Sequence, residues 1–373
     1  RRRSPSSPRA RADHDPDRPG VALCHAWGVT EKTEPALSVL DLVPVVEGSG
    51  PAEALANSTE LVKLAEKLGY KRHWVAEHHN MAGIASSAPA VIVSHLAAHS
   101  SSIRVGSGGV MLPNHQPLVV AEQFGTLESL HPGRIDLGIG RAPGTDQITA
   151  AALRRGVDPL SDEDLPKQLG ELMGFFTGNF PDGHPYNSIT AVPGLGQMPE
   201  IWLLGSSGFT AQVAGLLGMP FSFAHHFSAA NTLPALELYR SRFKPSEYLD
   251  EPKAMVAVGV ICAEDDERAR YLAGPTRLAF ARLRSGRPGK FPTPEEAAAH
   301  DFTPDEETVI RSVAKGHIFG GPETVKAELD KLIEATGADE LMITTMVHDQ
   351  SDRLRSYELV AEIMNVSATF SAS

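Results

Sequence analysis

The stretch that decides the fold spans residues 104–146 and reads RVGSGGVMLPNHQPLVVAEQFGTLESLHPGRIDLGIGRAPGTD. Two apolar runs rich in glycine, at residues 103–112 and 135–141, flank one segment with an apolar face that opens near Pro117. Proline suits the first turn of a helix, and the sequence HPG at residues 131–133 ends the helix because proline cannot continue it. A strand, a helix and a strand in this order predict a β-α-β unit with parallel strands.

The second of these runs is bare of side chains on one face. In an extended strand its isoleucines and leucine point one way, whereas Asp136, Gly138 and Gly140 point the other way. A glycine face makes a weak strand by itself, so we expect a large group to approach it. Arg141 then stands at the carboxyl end of the strand, where α/β proteins build their sites.

Strand and helix patterns alternate along the rest of the chain, about eight of each, from a strand at residues 37–45 to a helix at residues 353–364. This alternation predicts a (β/α)8 TIM barrel with insertions at its carboxyl-terminal face. An open doubly wound sheet is the alternative, but no G-x-G-x-x-G follows the first strand. Residues 285–316 interrupt the rhythm and predict an insertion, so residues 37–373 are expected to form one barrel domain.

The first 36 residues differ from the rest in composition. Arginine, proline and serine dominate residues 1–20, and these residues offer almost nothing to bury, so residues 1–36 are expected to be a disordered extension. An export signal is the alternative interpretation. However, the apolar run VALCHAWGV at residues 21–29 is short, and no small-residue cleavage pattern follows it.

The amino-acid composition limits the kinds of binding partner and the cellular compartment that we expect. The chain has 373 residues, of which 42% are hydrophobic, enough for a sizeable core. Its formal charge of −12, without a basic stripe, argues against a nucleic-acid partner, and the lack of a long apolar run argues against a membrane partner. Cys24 and Cys262 show no metal spacing and no disulfide framework, so no metal site and a reducing cytoplasm are expected.

Two neighbouring histidines stand at the carboxyl end of the second predicted strand, which spans residues 73–79. His78 and His79 allow three interpretations: a metal site with Glu77, a structural histidine, or a general base at the barrel mouth. Successive strand residues point to opposite faces, so the two rings cannot easily bind one metal ion. An imidazole pKa near neutrality supports the general base, while a structural role suits His79 better than His78.

Phosphate chemistry is suggested at two further strand ends. Arg141 could form a surface ion pair or a bidentate contact to phosphate. The turn GSSG at residues 205–208 lies between a strand and a helix, where backbone N–H groups and hydroxyls can bind an anion or simply cap the helix. His225 and His226 follow the sixth predicted strand, and either could border the site or pack structurally.

Four motifs together resemble the bacterial luciferase-like flavin monooxygenases. They are AEHHN at residues 76–80, RVGSGGVMLPNHQPL at 104–118, HPGRIDLGIGRAPGTD at 131–146 and GSSGFTA at 205–211. The resemblance implies reduced FMN supplied by a separate flavin reductase, which reacts with O2 to a flavin peroxide that oxygenates a small organic substrate. It also implies a homodimer. The motifs do not identify the substrate.

The resemblance implies roles for individual residues. His78 matches the family's catalytic base, and the Gly108–Gly109 bond matches a cis peptide under the flavin ring, although a glycine bulge is the alternative from the sequence. Gly140 stands where light-emitting members carry a reactive cysteine, which argues against light emission and not against oxygenation. The expected cofactor-binding residues are Gly108, Gly109, Gly140, Arg141, Gly205, Ser206, Ser207 and His225.

Two other functions fit the same motifs. One is a deazaflavin-dependent dehydrogenase, which transfers hydride and does not use oxygen. The other is a non-catalytic flavin-binding protein. The presence of His78 and a roomy interior favour catalysis over storage.

Overall fold

The glycine-rich strands and their neighbours close into a ring. The structure is a computed structural model that describes residues 35–154 and 164–366. Its strands are β1 (Ala36–Asp41), β2 (Arg72–Val75), β3 (Arg104–Met111), β4 (Ile135–Gly140), β5 (Glu200–Gly205), β6 (Phe221–Ala224), β7 (Ala254–Cys262), β8 (His317–Gly320) and β9 (Glu340–Thr344). Strands β1 to β7 pair in sequence order, and β9 pairs with both β7 and β1, all in parallel. The predicted (β/α)8 barrel is confirmed.

Helices connect the strands on the outside of the ring. They are α1 (Pro51–Leu68), α2 (Pro89–Ala98), α3 (Pro117–Leu130), α4 (Gln147–Leu153), α5 (Asp164–Thr177), α6 (Gly208–Leu217), α7 (His225–Ser228), α8 (Thr232–Arg242), α9 (Asp266–Arg284), α10 (Pro294–Ala298), α11 (Pro304–Ala314), α12 (Pro322–Thr336) and α13 (Gln350–Ile363). Proline opens α1, α2, α3 and α12, and a left-handed glycine closes α1, α6 and α12. No described helix is both long and apolar enough to cross a membrane.

The central β3–α3–β4 unit follows the sequence closely. The side chains of Ile135, Leu137 and Ile139 are buried in the main hydrophobic core. On the other face, a Cβ added at Gly138 would collide with the carbonyl oxygen of Ser107. The glycine face of β4 therefore allows β3 to approach closely and leaves the barrel interior beside it open.

Charged side chains fill the amino-terminal end of the barrel. The Arg72 guanidinium is fully buried, and it lies 2.8 Å from Asp136 and 2.7 Å from Glu340. It also lies over the rings of Trp74 and Trp202, at 5.6 and 5.0 Å from their centres. We call this group the polar plug. The polar plug closes the amino-terminal end of the barrel, and the open part of the interior lies on its carboxyl-terminal side.

The structure departs from the predicted elements in several places. Strand β1 ends at Asp41 and not at residue 45. Strand β8 is absent from the prediction; it pairs with the carboxyl half of β7 outside the eight-strand ring. Strand β2 ends at Val75, so the prediction that the strand extends to His79 is wrong. The pattern of residues 220–227 predicts a strand, but β6 ends at Ala224 and the residues after it begin the one-turn helix α7.

Some predictions fall wholly or partly outside the described residues. Of the predicted extension at residues 1–36, only residues 35 and 36 belong to the described part of the chain. The single domain over residues 37–373 also includes residues outside the described part, so it stays a prediction. The predicted insertion at residues 285–316 contains α10 and α11.

Candidate functional site

The carboxyl ends of the strands surround a cavity of about 210 Å³, which we call the inner cavity. Leu40, Leu204 and Met342 are among its apolar walls, above the polar plug. It adjoins a wider outer cavity of about 860 Å³, and His78, Gly144 and Phe227 line both. Eight of the nine predicted site residues line the inner cavity: His78, Gly108, Gly109, Gly140, Arg141, Gly205, Ser206 and Ser207.

Backbone forms one wall of the inner cavity. The Gly108–Gly109 peptide bond is cis, as the resemblance implied, and the pairing of β3 with β4 shifts register between Gly108 and Val110. The cis bond and the strand irregularity that were weighed as alternatives thus occur together. A Cβ at Gly109 would lie 2.6 Å from the carbonyl oxygen of Gly138, so this wall has no room for a side chain.

The two predicted phosphate sites lie together at one end of the cavity. The guanidinium of Arg141 lies 4.7 Å from the ring centre of Phe209, which is in the first turn of α6. Ser206 and Ser207 are exposed at the amino end of the same helix. Ser207 occupies the N-cap position, but its side chain accepts no capping hydrogen bond, so the plain cap interpretation does not describe it. A guanidinium, two hydroxyls and a helix N-terminus form a donor set that suits phosphate.

His78 lies in the loop after β2 and not in the strand itself. Its backbone N–H donates to the carbonyl oxygen of Ser86 at 3.0 Å, and its Nδ1 lies 3.3 Å from the carbonyl oxygen of Gly144. A carbonyl only accepts, so the proton is assigned to Nδ1 and Nε2 is left as the basic nitrogen. Burial lowers the pKa of His78, which keeps the ring neutral and able to accept a proton.

His79 points to a different partner. Its Nε2 lies 3.0 Å from Oε1 of Glu77, and its side chain lines the outer cavity. Glu77 is fully buried and also receives a hydrogen bond from His115 at 2.9 Å. Burial would raise the pKa of Glu77, but the hydrogen bonds from His115 and His79 outweigh it and lower this pKa to about 2. The structural role predicted for His79 agrees with this contact.

The structure places His226, rather than the predicted His225, in the wall of the inner cavity. Nδ1 of His226 lies 3.0 Å from the carbonyl oxygen of Ala257, whereas Nδ1 of His225 lies 2.8 Å from the hydroxyl of Thr232. The reason is that β6 ends at Ala224, so helical rotation replaces the alternation of a strand. Burial lowers the pKa of His226 to about 3.

Comparison with known proteins identifies the family. The sequence model described as "Luciferase-like monooxygenase" matches residues 36–340. This chain belongs to the luciferase-like monooxygenase family. A protein of Escherichia coli (strain K12) named "Luciferase-like monooxygenase" is 45% identical over 335 residues, which cover 90% of this chain and 98% of the relative. The "N-acetyl-S-alkylcysteine monooxygenase" of Bacillus subtilis (strain 168) is 34% identical over 87% of this chain and 97% of its own length.

Solved structures agree with this assignment. The crystal structure of apo-MsnO8 has a TM-score of 0.82 and 40% identity, and the match covers 89% of this chain and 99% of that one. The fold alone is shared with the oxygenating constituent of 3,6-diketocamphane monooxygenase in complex with FMN (TM-score 0.65, 20% identity, 88% and 98% coverage). It is also shared with an F420-dependent secondary alcohol dehydrogenase (TM-score 0.64, 13% identity, 89% and 99% coverage).

Within this luciferase-like monooxygenase, Met111 occupies the space beside Gly140. A Cβ added at Gly140 would lie 2.7 Å from the sulfur of Met111. The position at which light-emitting relatives are expected to carry a cysteine therefore has a thioether against it here.

Sequence reasoning missed a group of polar residues near this site. Asn114, His115 and Arg154 were not singled out, and Glu77 entered only as a possible metal ligand. These four side chains lie behind the cavity wall and hydrogen-bond to each other or to the loops that form it. One signal was present, because the acidic Glu77 follows an apolar strand closely. The distant Arg154 gave no such signal.

Proposed function

We propose that this chain is a monooxygenase that uses reduced FMN and O2 to oxygenate a small organic substrate. The observation that carries the proposal is the shared cavity of Arg141, Ser206 and Ser207 with His78. A phosphate-type donor set and a neutral histidine border one space with a backbone wall. The family supports an oxidoreductase that uses oxygen.

The residues present fit the phosphate and the ring of FMN. Arg141 and the amino end of α6 would hold the phosphate, because the helix N-terminus and the guanidinium both favour an anion. The wall at Gly108 and Gly109, together with apolar side chains such as Leu40 and Met342, would accept a flat ring. Reduced FMN, when bound, supplies two electrons to O2, so that one oxygen atom enters the substrate and the other leaves as water.

The chain's own part in the reaction is to position groups and to manage protons. Nε2 of His78, the basic nitrogen, would accept or return a proton at the cavity wall. Phe227, Phe280 and Met346 line the outer cavity and would exclude water from the reacting groups. His226 would stay neutral at the same wall and offer Nε2 as a hydrogen-bond acceptor, because its Nδ1–H faces Ala257.

The proposal includes a flavin reductase as partner, a homodimeric state and a cytoplasmic location. The supply of reduced FMN by a separate flavin reductase and a homodimeric state are supported by the family resemblance. A cytoplasmic location is supported by the low cysteine content. Size-exclusion chromatography with light scattering tests the dimer, and activity with and without an added NADH:FMN reductase tests the two-component arrangement.

The test is a flavin titration followed by mixing with oxygen. Reduced FMN should bind at least about tenfold more tightly than reduced riboflavin, since each charge-assisted phosphate contact contributes roughly 1.5–3 kcal/mol. Anaerobic binding is measured first, and stopped-flow absorbance then follows reoxidation with and without trial sulfides. N-acetyl-S-alkylcysteines are the first trial substrates, because the relative in Bacillus subtilis (strain 168) is named for them.

The titration also separates the rival functions. Equal affinities for FMN and riboflavin would remove the phosphate assignment. Tight binding of a deazaflavin with no faster reoxidation in oxygen would instead favour the dehydrogenase. FMN binding with no oxygenated product from any substrate class would favour the non-catalytic flavin-binding protein.

A further inference from the structure

A buried carboxylate joins the loops that follow β2 and β3. Oε2 of Glu77 accepts the backbone N–H of Met111 at 3.0 Å, and Oε1 accepts Nδ2 of Asn114 at 3.2 Å. Nε2 of His115 lies 2.9 and 3.0 Å from the two oxygens, and Nε2 of His79 lies 3.0 Å from Oε1. Both oxygens of Glu77 are therefore fully occupied by donors from two loops.

Asn114 carries the connection to the loop that follows β4. Its Nδ2 also donates to the carbonyl oxygen of Pro143 at 3.0 Å, and its Oδ1 accepts Nε of Arg154 at 2.8 Å. Nη2 of Arg154 in turn donates to the backbone carbonyl of Arg141 at 3.1 Å. Two side chains thus link the carboxylate of Glu77 to the backbone of the residue assigned to phosphate.

The same loop orients His78. The carbonyl oxygen of Gly144 accepts the backbone N–H of His79 at 3.1 Å and lies 3.3 Å from Nδ1 of His78. Gly144 has a φ of +66°, and a Cβ there would lie 2.6 Å from the carbonyl oxygen of Glu77. Gly144, whose carbonyl fixes the His78 ring, is therefore packed at its Cα against the backbone of Glu77 and follows Pro143 directly.

We infer that Glu77 and Asn114 are positioning residues that hold His78 and Arg141 in their relative places in the flavin site. The inference rests on the proposed function, because that function gives His78 and Arg141 their roles. Neither Glu77 nor Asn114 is among the residues that line the inner or the outer cavity. They act through the three loops that they join.

The charge of Glu77 is part of this arrangement. A carboxylate accepts hydrogen bonds at both oxygens, and charge-assisted bonds are stronger than neutral ones. Glu77→Gln keeps the shape but turns one oxygen into an NH2 donor, which would face Met111 N–H or the donors of Asn114 and His115. One loop must move away to relieve that contact.

The experiment measures a ratio of two affinities. The dissociation constants of FMN and riboflavin are measured by flavin fluorescence for the unaltered chain, Asn114→Ala and Glu77→Gln. In both variants the preference for FMN over riboflavin should fall by about three- to tenfold, the equivalent of one lost hydrogen bond. Loss of stability alone does not change this ratio, because both ligands bind the folded protein.

Matched controls lie at the opposite end of the barrel and on a distant loop. Glu200 also has its pKa lowered to about 2, with burial outweighed by Arg72 and Lys253, but it lies by the polar plug. Glu200→Gln and Asn187→Ala should leave the ratio unchanged. If Glu77→Gln does not fold, Asn114→Ala decides the result alone, since alanine introduces no donor that faces the Glu77 partners.

Three outcomes overturn the inference. An unchanged ratio in Asn114→Ala would show that the network only stabilises the fold. An equal fall in Glu200→Gln would show that the effect is not specific to Glu77 and Asn114. In either case a preference for FMN in the unaltered chain would leave the proposed function standing. No preference for FMN in the unaltered chain would overturn both.

Discussion

Nδ1 of His78 lies 3.3 Å from the carbonyl oxygen of Gly144, a residue of a different strand-to-helix loop. The contact assigns the ring proton to one nitrogen and leaves Nε2 free for chemistry. The orientation of the His78 ring, the proposed base, therefore depends on the conformation of the loop that begins with Arg141.

Replacement of His78 by alanine should slow oxygenation of the substrate by about 10²- to 10⁴-fold, the usual effect of losing a positioned acid–base group. FMN affinity should change little, because the proposed phosphate donors lie in the loops after β4 and β5. Single-turnover product formation, measured with reduced FMN already bound, tests this. In His79→Ala the rate should fall less and stability more, because Glu77 loses a partner. Normal turnover in the His78 variant together with an inactive His79 variant would reverse the two assignments.

Replacement of Arg141 by alanine should weaken FMN binding by about tenfold or more and leave riboflavin binding nearly unchanged. The reason is that riboflavin lacks the phosphate to which the guanidinium would bind. Parallel fluorescence titrations measure both constants. Arg240→Ala is the control, because Arg240 lies in the last turn of α8 and donates to the carbonyl oxygen of Gly337 at 2.9 Å. An equal loss for both flavins would place Arg141 against the ring or the ribityl chain instead.

Replacement by alanine should lower the unfolding free energy by different amounts at two glycines of β4. At Gly138 the new Cβ meets the backbone oxygen of Ser107, which cannot rotate away, so the unfolding free energy should fall by about 1–3 kcal/mol. At Gly140 the Cβ meets the sulfur of Met111, the flexible part of a side chain, so stability should fall by less than about 1 kcal/mol. Urea denaturation of both variants checks the contrast. Equal losses would mean that Met111 cannot move.

The carboxylate of Glu77 should make stability depend on pH. Its pKa is lowered from an ordinary 4.5 to about 2, so its contribution is complete above about pH 5 and is lost as the pH falls toward 2. The lowering corresponds to roughly 3 kcal/mol. The difference in unfolding free energy between the unaltered chain and Glu77→Gln should therefore shrink from about pH 6 to about pH 3.5. A constant difference across that range would show that ionisation is not the source.

The sequence predicted the central unit because its signals are local. Pro117 opens α3 and the glycines of β4 mark an open interior face, so β3, α3 and β4 were placed to within about a residue. The apolar run at residues 254–262 likewise predicts a strand, and β7 has these bounds.

The errors arose where tertiary contacts override local pattern. Strand β8 has only four residues, and it forms because its backbone pairs with β7. The place of His226 depends on where β6 stops, which alternation along a strand cannot reveal. The partners of Glu77 come from residues up to 38 positions away in the chain, a distance across which no local pattern connects them.

The polar plug has a consequence for the order of events at the site. Arg72 and its carboxylate partners fill the amino-terminal end, and in the described part of the chain the inner cavity adjoins the outer cavity on the opposite side. Flavin in the inner cavity would then lie beneath whatever the outer cavity holds. The cofactor should arrive before the substrate and leave after the product, so a saturating substrate should slow the exchange of flavin.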